Sequence, residues 1–349
     1  MTDDIQSAAR LAKVVEMSRG IHHGIALGDA ADHLTSAAPV LPVGVATQLT
    51  LATTEGLVRT LERAGRQLDH DWAHDSLEAL RRWATVQGIL GVAPSRESSR
   101  SLLTTLPAYA ERRGNAPATV RVLRHGPAAL VAAGHRSLGP HALVRTLPFA
   151  VLVALHGPGF VWPVGELAGV THGHPLIGPV AAVGALLAAR GADGSVPLEV
   201  GWLDVLDEHV PEGGELVKTR VGSAIMAATT DPQDPGRLAE LAPDRSAVSV
   251  LAAAVYVVLS HPDPDDLLLA LALASFSPDK QATSAVVGAL VGARHGSTPM
   301  LALGASRLEL AWACDALATD LAMTSMLTPL GKEPGGDAWL PSWPARYAV

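Results

Sequence analysis

Pro262–Gly296 reads PDPDDLLLALALASFSPDKQATSAVVGALVGARHG, and its punctuation sets two apolar helices at a polar corner. Asp263 has the character of a cap, Pro264 suits the first helical position, and Asp265 and Asp266 follow where carboxylates favour the positive end of a helix dipole. The first helix then runs over Leu267–Phe276. Ser277, Pro278 and Asp279 repeat the order of cap, proline and acid, so a second helix follows the corner and carries the apolar run Thr283–Arg294. Gly288, Gly292 and Gly296 stand four residues apart, on nearly one face, which lets another backbone approach closely. This second helix is expected at the centre of the molecule, with the corner before it in the interior or in a cleft.

The composition supports a large helical core. Hydrophobic residues make up 48% of the 349 residues and charged residues 17%, enough apolar surface to argue against disorder. Net charge is −8, with scattered arginines and only Lys13, Lys218, Lys280 and Lys332 besides, so no basic stripe exists to follow a phosphate backbone and nucleic acid is not an expected partner. Apolar runs such as Ala247–Leu259 fall short of the roughly 20 residues that span a bilayer, and no membrane partner is expected. With Cys314 as the single cysteine and no apolar leader in MTDDIQSAARLAK, a cytoplasmic location is expected.

Along the chain the apolar spacing is helical in nearly every segment, which predicts an all-α fold. Ser7–Ala26 reads as an amphipathic helix, Thr47–Leu61 as a second helix, and Leu68–Leu90 as a polar helix whose charges form a solvated face. Pro197–Glu215 reads as less regular, Pro232–Pro243 as a proline-broken acidic loop, Ser246–Leu259 as a buried helix and Ser306–Met323 as the last helix. One domain is expected over 1–327, followed by an extended or mobile tail over 328–349. His172 and His174 in THGHP, two residues apart, lack further ligands at a telling spacing and read as core or capping histidines before they read as zinc ligands. No nucleophile elbow, phosphate-binding loop or dinucleotide fingerprint is present.

Several of these motifs, in order, resemble those of the ADP-ribosylglycohydrolases. Ser277–Ala282 and the glycine-striped helix resemble that family's GGDTDT signature and its small-residue helix. Gly24, Gly28, Asp29 and Ala30 resemble its GxxxGDALG; RRGNAP at Arg112–Pro117 its GN turn; Gly139–Pro148 its GNGALMRxxP, with Arg145 and Pro148 matching; and Thr171–Pro175 its THxHP. The resemblance implies an orthogonal helical bundle and a dinuclear magnesium site. The six positions that would hold the metals carry Gly44, Val45, Ala46, Asp279, Gln281 and Ala282, so Asp279 alone keeps its type, and a capping role explains it equally. Pro140 and His141, where the family has small residues, are expected to reshape its ribose and pyrophosphate pocket. The candidates for a ligand cleft are His22, His23, Asp29, Asp32, Arg145, His172, His174, Asp279 and Gln281.

Three readings stand at this stage. One is a metal-free relative, with no cofactor, binding a small molecule, nucleotide-like or a biosynthetic intermediate, in the inherited cleft. A second is an active ADP-ribosyl or related N-glycosyl hydrolase with an unusual magnesium site, and the third is a structural or partner-binding protein. The sequence decides neither whether a reaction is catalysed nor the oligomeric state.

Overall fold

The glycine stripe decides how the helices assemble. The computed structural model describes residues 2–96, 101–132 and 136–327; the predicted tail at 328–349 lies outside them. The principal helices are α1 (Thr2–Asp29), α2 (Val45–Gly65), α3 (Trp72–Val86), α4 (Pro117–His125), α5 (His141–Thr146), α6 (Trp162–Gly169), α7 (Ile177–Gly191), α8 (Leu198–Glu208), α9 (Glu215–Thr230), α10 (Ala247–Ser260), α11 (Leu267–Ala274), α12 (Lys280–His295) and α13 (Ala311–Leu327). Among the described residues there is no strand, only an isolated bridge between Leu41 and Leu308. The fold is all-α, as the spacing predicts.

Helices α1 and α12 run antiparallel with their backbones in contact. A β-carbon on Gly24 would overlap the Gly288 carbonyl oxygen, one on Gly20 the Gly292 carbonyl, and one on Gly28 the Ser284 carbonyl. The stripe on α12 thus meets a second, matching stripe on α1. Gly296 ends α12 at φ 73, a left-handed conformation that glycine adopts without strain, and its backbone still lies against Gly20 of α1. Residues Ala282–Ala293 are buried on every face, which makes α12 the central helix.

The same packing corrects the reading of α1. From Met17 to Ala30 it is buried nearly all round, because α12, α13 and α2 cover different faces, so it is not amphipathic over its second half. The charges of α3 are corrected too: Asp75, Glu78 and Arg82 are buried. Glu55 of α2 takes Arg59 and Arg82 at 3.1 Å each and the Ser101 hydroxyl, while Asp75 takes Arg63 and the Thr60 hydroxyl at 2.9 Å. Buried charges persist when paired in this way, and the network fixes α3 on α2. Pro197–Glu215 holds the regular helix α8, anchored by Trp202 Nε1 donating to the Leu187 carbonyl at 2.8 Å, and Pro235–Leu241 forms a short helix within the expected acidic loop. No helix among the described residues is long and apolar enough to cross a membrane.

Candidate functional site

Four chain segments converge where α1 ends and where α2, α5 and α12 begin. Helix α2 starts at Gly44 without a side-chain cap of its own. Asp29, at the end of α1, supplies it from elsewhere in the chain: Oδ2 accepts the Thr47 N–H at 2.9 Å and the Thr47 hydroxyl at 2.6 Å. Its Oδ1 accepts Gln281 Nε2 at 2.8 Å, and the Gly44 N–H is a further donor to this carboxylate. Burial pushes the Asp29 carboxyl up, and the donors from Thr47, Gly44 and Gln281 oppose that shift. A carboxylate has about four lone-pair sites, so this one is saturated by the protein itself. A β-carbon on Gly44 would sit 2.3 Å from both Asp29 Oδ1 and Gln281 Nε2, so a larger residue there would turn these two side-chain ends aside.

The rest of the expected metal position is apolar. Val45 and Ala46 are buried, and Gly114 lies so close that a β-carbon on it would sit 2.8 Å from Val45 Cγ1. Asp279 is half-buried and serves as the cap of α12, accepting the Ala282 N–H at 3.2 Å. The cap is this aspartate and not Ser277, whose hydroxyl turns to Thr283 Oγ1 at 2.7 Å. Asp279→Ala is expected to lower stability by about 0.5–2 kcal/mol. Chemical denaturation measures this, and a loss of magnesium binding in that variant would assign Asp279 to a metal instead.

Beside this corner lies a buried cation. Arg145 on α5 is 0% exposed, and no carboxylate among the described residues meets it. Its Nη2 donates to the Leu167 carbonyl at 2.5 Å and to Thr171 Oγ1 at 2.9 Å, its Nη1 reaches Thr53 Oγ1 at 3.4 Å, and its Nε has no partner. Burial pulls the guanidinium down to about 9. Thr171 Oγ1 also meets His172 Nδ1 at 2.8 Å. Burial first, then Arg145 and His141, holds His172 down to about 3, so it is a neutral imidazole. His141 is lowered by burial as well, with Asp279 opposing and Arg145 reinforcing that shift, which places it among these three groups. The sequence quoted His141 only as a departure from small residues. Its setting between Asp279 and Arg145 comes from the folding of α5 against α12.

Most of the other candidates are placed elsewhere. His22 lies in the interior, its Nδ1 on the Ser18 carbonyl at 2.8 Å and its Nε2 on Thr54 Oγ1 at 2.9 Å. His23 is buried against Asp315, at 3.6 Å. Asp32 stays beside the corner: it pairs with Lys280 at 2.7 Å, a contact of little energetic weight, and the two line one cavity with Asp29 and Gln281. His174 accepts the Leu176 N–H at 3.2 Å and so caps the turn into α7. Gln48 holds a loop, donating from Nε2 to the Glu111 carbonyl at 2.8 Å.

The family model for ADP-ribosylglycohydrolases matches residues 3–326. The chain belongs to this family. Its fold is similar to that of a solved chain described as belonging to an ADP-ribosylglycohydrolase-related protein complex, at 19% identity and a TM-score of 0.58, over 90% of this chain and 100% of that one. No curated protein matches. The donor set does not fit the family's two magnesium ions: five of the six ligand positions offer no carboxylate, and the sixth caps a helix. Among the described residues no group of three or more His, Cys, Asp or Glu side chains is disposed to hold a metal ion.

Proposed function

We propose that this is a divergent ADP-ribosylglycohydrolase-fold protein that binds a small, nucleotide-like molecule in the inherited cleft without the dinuclear magnesium site. It does not release ADP-ribose from arginine or serine by the family's magnesium route. The observation that carries this reading is the capture of Asp29 by Thr47, Gly44 and Gln281, beside Gly44, Val45 and Ala46, none of which offers a side-chain ligand. Two magnesium ions need several oxygen ligands to hold them against water. Here they would face Val45 and Ala46, with their charge uncompensated.

The groups left to a ligand are the neutral imidazoles of His141 and His172, beside the positive field of Arg145. They suit a ligand with negative charge and hydrogen-bonding oxygens. A cytoplasmic setting belongs to the same proposal and is supported by the lone, buried Cys314. The test measures ADP-ribose release from ADP-ribosyl-arginine at millimolar magnesium, together with the melting temperature in magnesium and in chelator. Background release and equal melting temperatures are expected. Release that rises with magnesium well above background would overturn the reading in favour of the hydrolase.

A further inference from the structure

A cavity of about 410 Å³ lies at the opposite end of α12 from the corner. Three helices end at it: Ala228 and Thr229 belong to the last turn of α9, Val258 and Leu259 to that of α10, and Arg294 and His295 to that of α12. Leu198 and Glu199 of α8 complete the wall. At about 1.5 Å per residue, the helix from Gln281 to His295 keeps this cavity roughly 20 Å from the Asp29 corner.

Its polar groups divide into acceptors and one cation. The Val257 carbonyl can only accept, so His261 Nδ1 donates to it at 3.2 Å, and Nε2 of the unprotonated ring is left as an acceptor with no partner among the described residues. His261 is 7% exposed, so the nitrogen it leaves open belongs to the cavity wall. His295 donates to the Pro262 carbonyl, and burial and then Arg294 hold its pKa down, which keeps its second ring nitrogen an acceptor as well. Glu199 adds a carboxylate at the exposed rim. The last carbonyls of α9, α10 and α12 bring the negative ends of three helix dipoles to the same place. Against these acceptors stands Arg294, whose Nη1 is held by the Gly191 carbonyl at 3.1 Å and the Asp193 carbonyl at 2.8 Å. Its Nε and Nη2 have no partner, and no carboxylate pairs with it, among the described residues.

We propose that this cavity binds a free α-amino acid with a large apolar side chain, its carboxylate on Arg294 and its ammonium among His261, His295 and Glu199. An ammonium has three donors and no acceptor, which matches two imidazole nitrogens and a carboxylate beside helix C-termini. A carboxylate suits the guanidinium N–H groups that the backbone leaves unused. A simple anion would leave the acceptors unpaired, and a simple cation would leave Arg294 unpaired. Val258, Leu259 and Val291 give the side chain an apolar wall, and the volume falls at the small end of the range for ligand pockets, about 300–1,000 Å³. The assignment does not rest on the metal-free reading above. Magnesium-dependent hydrolysis would overturn that reading and leave this one standing.

Titration calorimetry of the full chain with L-phenylalanine tests it, beside 3-phenylpropanoate, which lacks the ammonium, and phenethylamine, which lacks the carboxylate. Saturable binding of L-phenylalanine with a Kd below about 1 mM is expected, and each analogue is expected to bind about tenfold more weakly or worse. Arg294→Gln is expected to abolish the preference for L-phenylalanine over phenethylamine, a change that a general loosening of the fold does not single out. Thr229→Trp, on the exposed last turn of α9, is expected to fill the cavity and weaken L-phenylalanine about tenfold or more, with the melting temperature unchanged. Absence of saturation, equal affinity for either analogue, or unaltered affinity in both variants would overturn the assignment.

Discussion

Gly24→Val is expected to leave little or no folded protein. The valine β-carbon would coincide with the Gly288 carbonyl oxygen, and the next nearest atoms are the Gly288 carbonyl carbon and the Ala289 nitrogen. All are backbone in the middle of α12, so no side chain can swing aside. Relief requires α1 to lift off α12, which opens the core along the shared stripe of its central helix. Overpacking a core where side chains can adjust costs about 1–3 kcal/mol, and a clash between two backbones exceeds that range. Against a total stability of about 5–15 kcal/mol, the result is a fall in melting temperature of roughly 10 °C or more, or insoluble protein. Gly159→Ala is the control, because nothing lies within 4 Å of a β-carbon at that position. A Gly24→Val protein melting with the wild type would refute the backbone contact.

That contact was legible from Gly288 and Gly292 because a stripe of small residues is a local, periodic signal. Its partner on α1 was less so. Gly20, Gly24 and Gly28 repeat the same spacing, but the apolar residues Leu11, Val14 and Val15 gave the start of α1 an amphipathic look that its buried second half does not share. The α12 cap was legible at Asp279 for the same reason: a cap acts within one turn of its own helix. Charges on α3 were misread because an acidic and basic face looks alike whether water or Glu55 and Arg63 lie opposite. The fate of Asp29 lay furthest from reach. Its donors are 15 to 252 residues away in sequence, and only the folded chain brings Gly44, Thr47 and Gln281 around it. That the six expected ligand positions carry a single carboxylate could be read from residue identities, whereas the hydrogen bonds that gather around Asp29 could not.

Acidification to pH 5 is expected to destabilise the protein through His22 and His172. The two partners of His22 fix a neutral tautomer: the Ser18 carbonyl can only accept, so Nδ1 carries the hydrogen, and Nε2 accepts from the Thr54 hydroxyl. Burial holds His22 down to about 4, and burial with Arg145 and His141 holds His172 down to about 3. In the unfolded chain both titrate near 6.5, so below that pH the unfolded state binds more protons and the stability of the folded state declines. The contribution is complete above about pH 6.5 and shrinks as pH falls toward the folded values, at about 1.4 kcal/mol per pH unit for each histidine. Between pH 6.5 and 5 the two together remove on the order of 4 kcal/mol. Carboxylates held low by partners, such as Glu78 beside Ser95 and Arg81, add their losses below that interval; His23, His141 and His295, lowered by burial, add to the loss within it, and Asp29 and Glu62, raised by burial, oppose it. Urea unfolding at pH 7, 6 and 5 measures the slope, and His172→Asn is expected to reduce it by the share of one histidine, about 1.4 kcal/mol per pH unit, while Arg245→Gln leaves it unchanged. Constant stability from pH 7 to pH 5 would mean that the imidazoles accept protons inside the fold despite their burial.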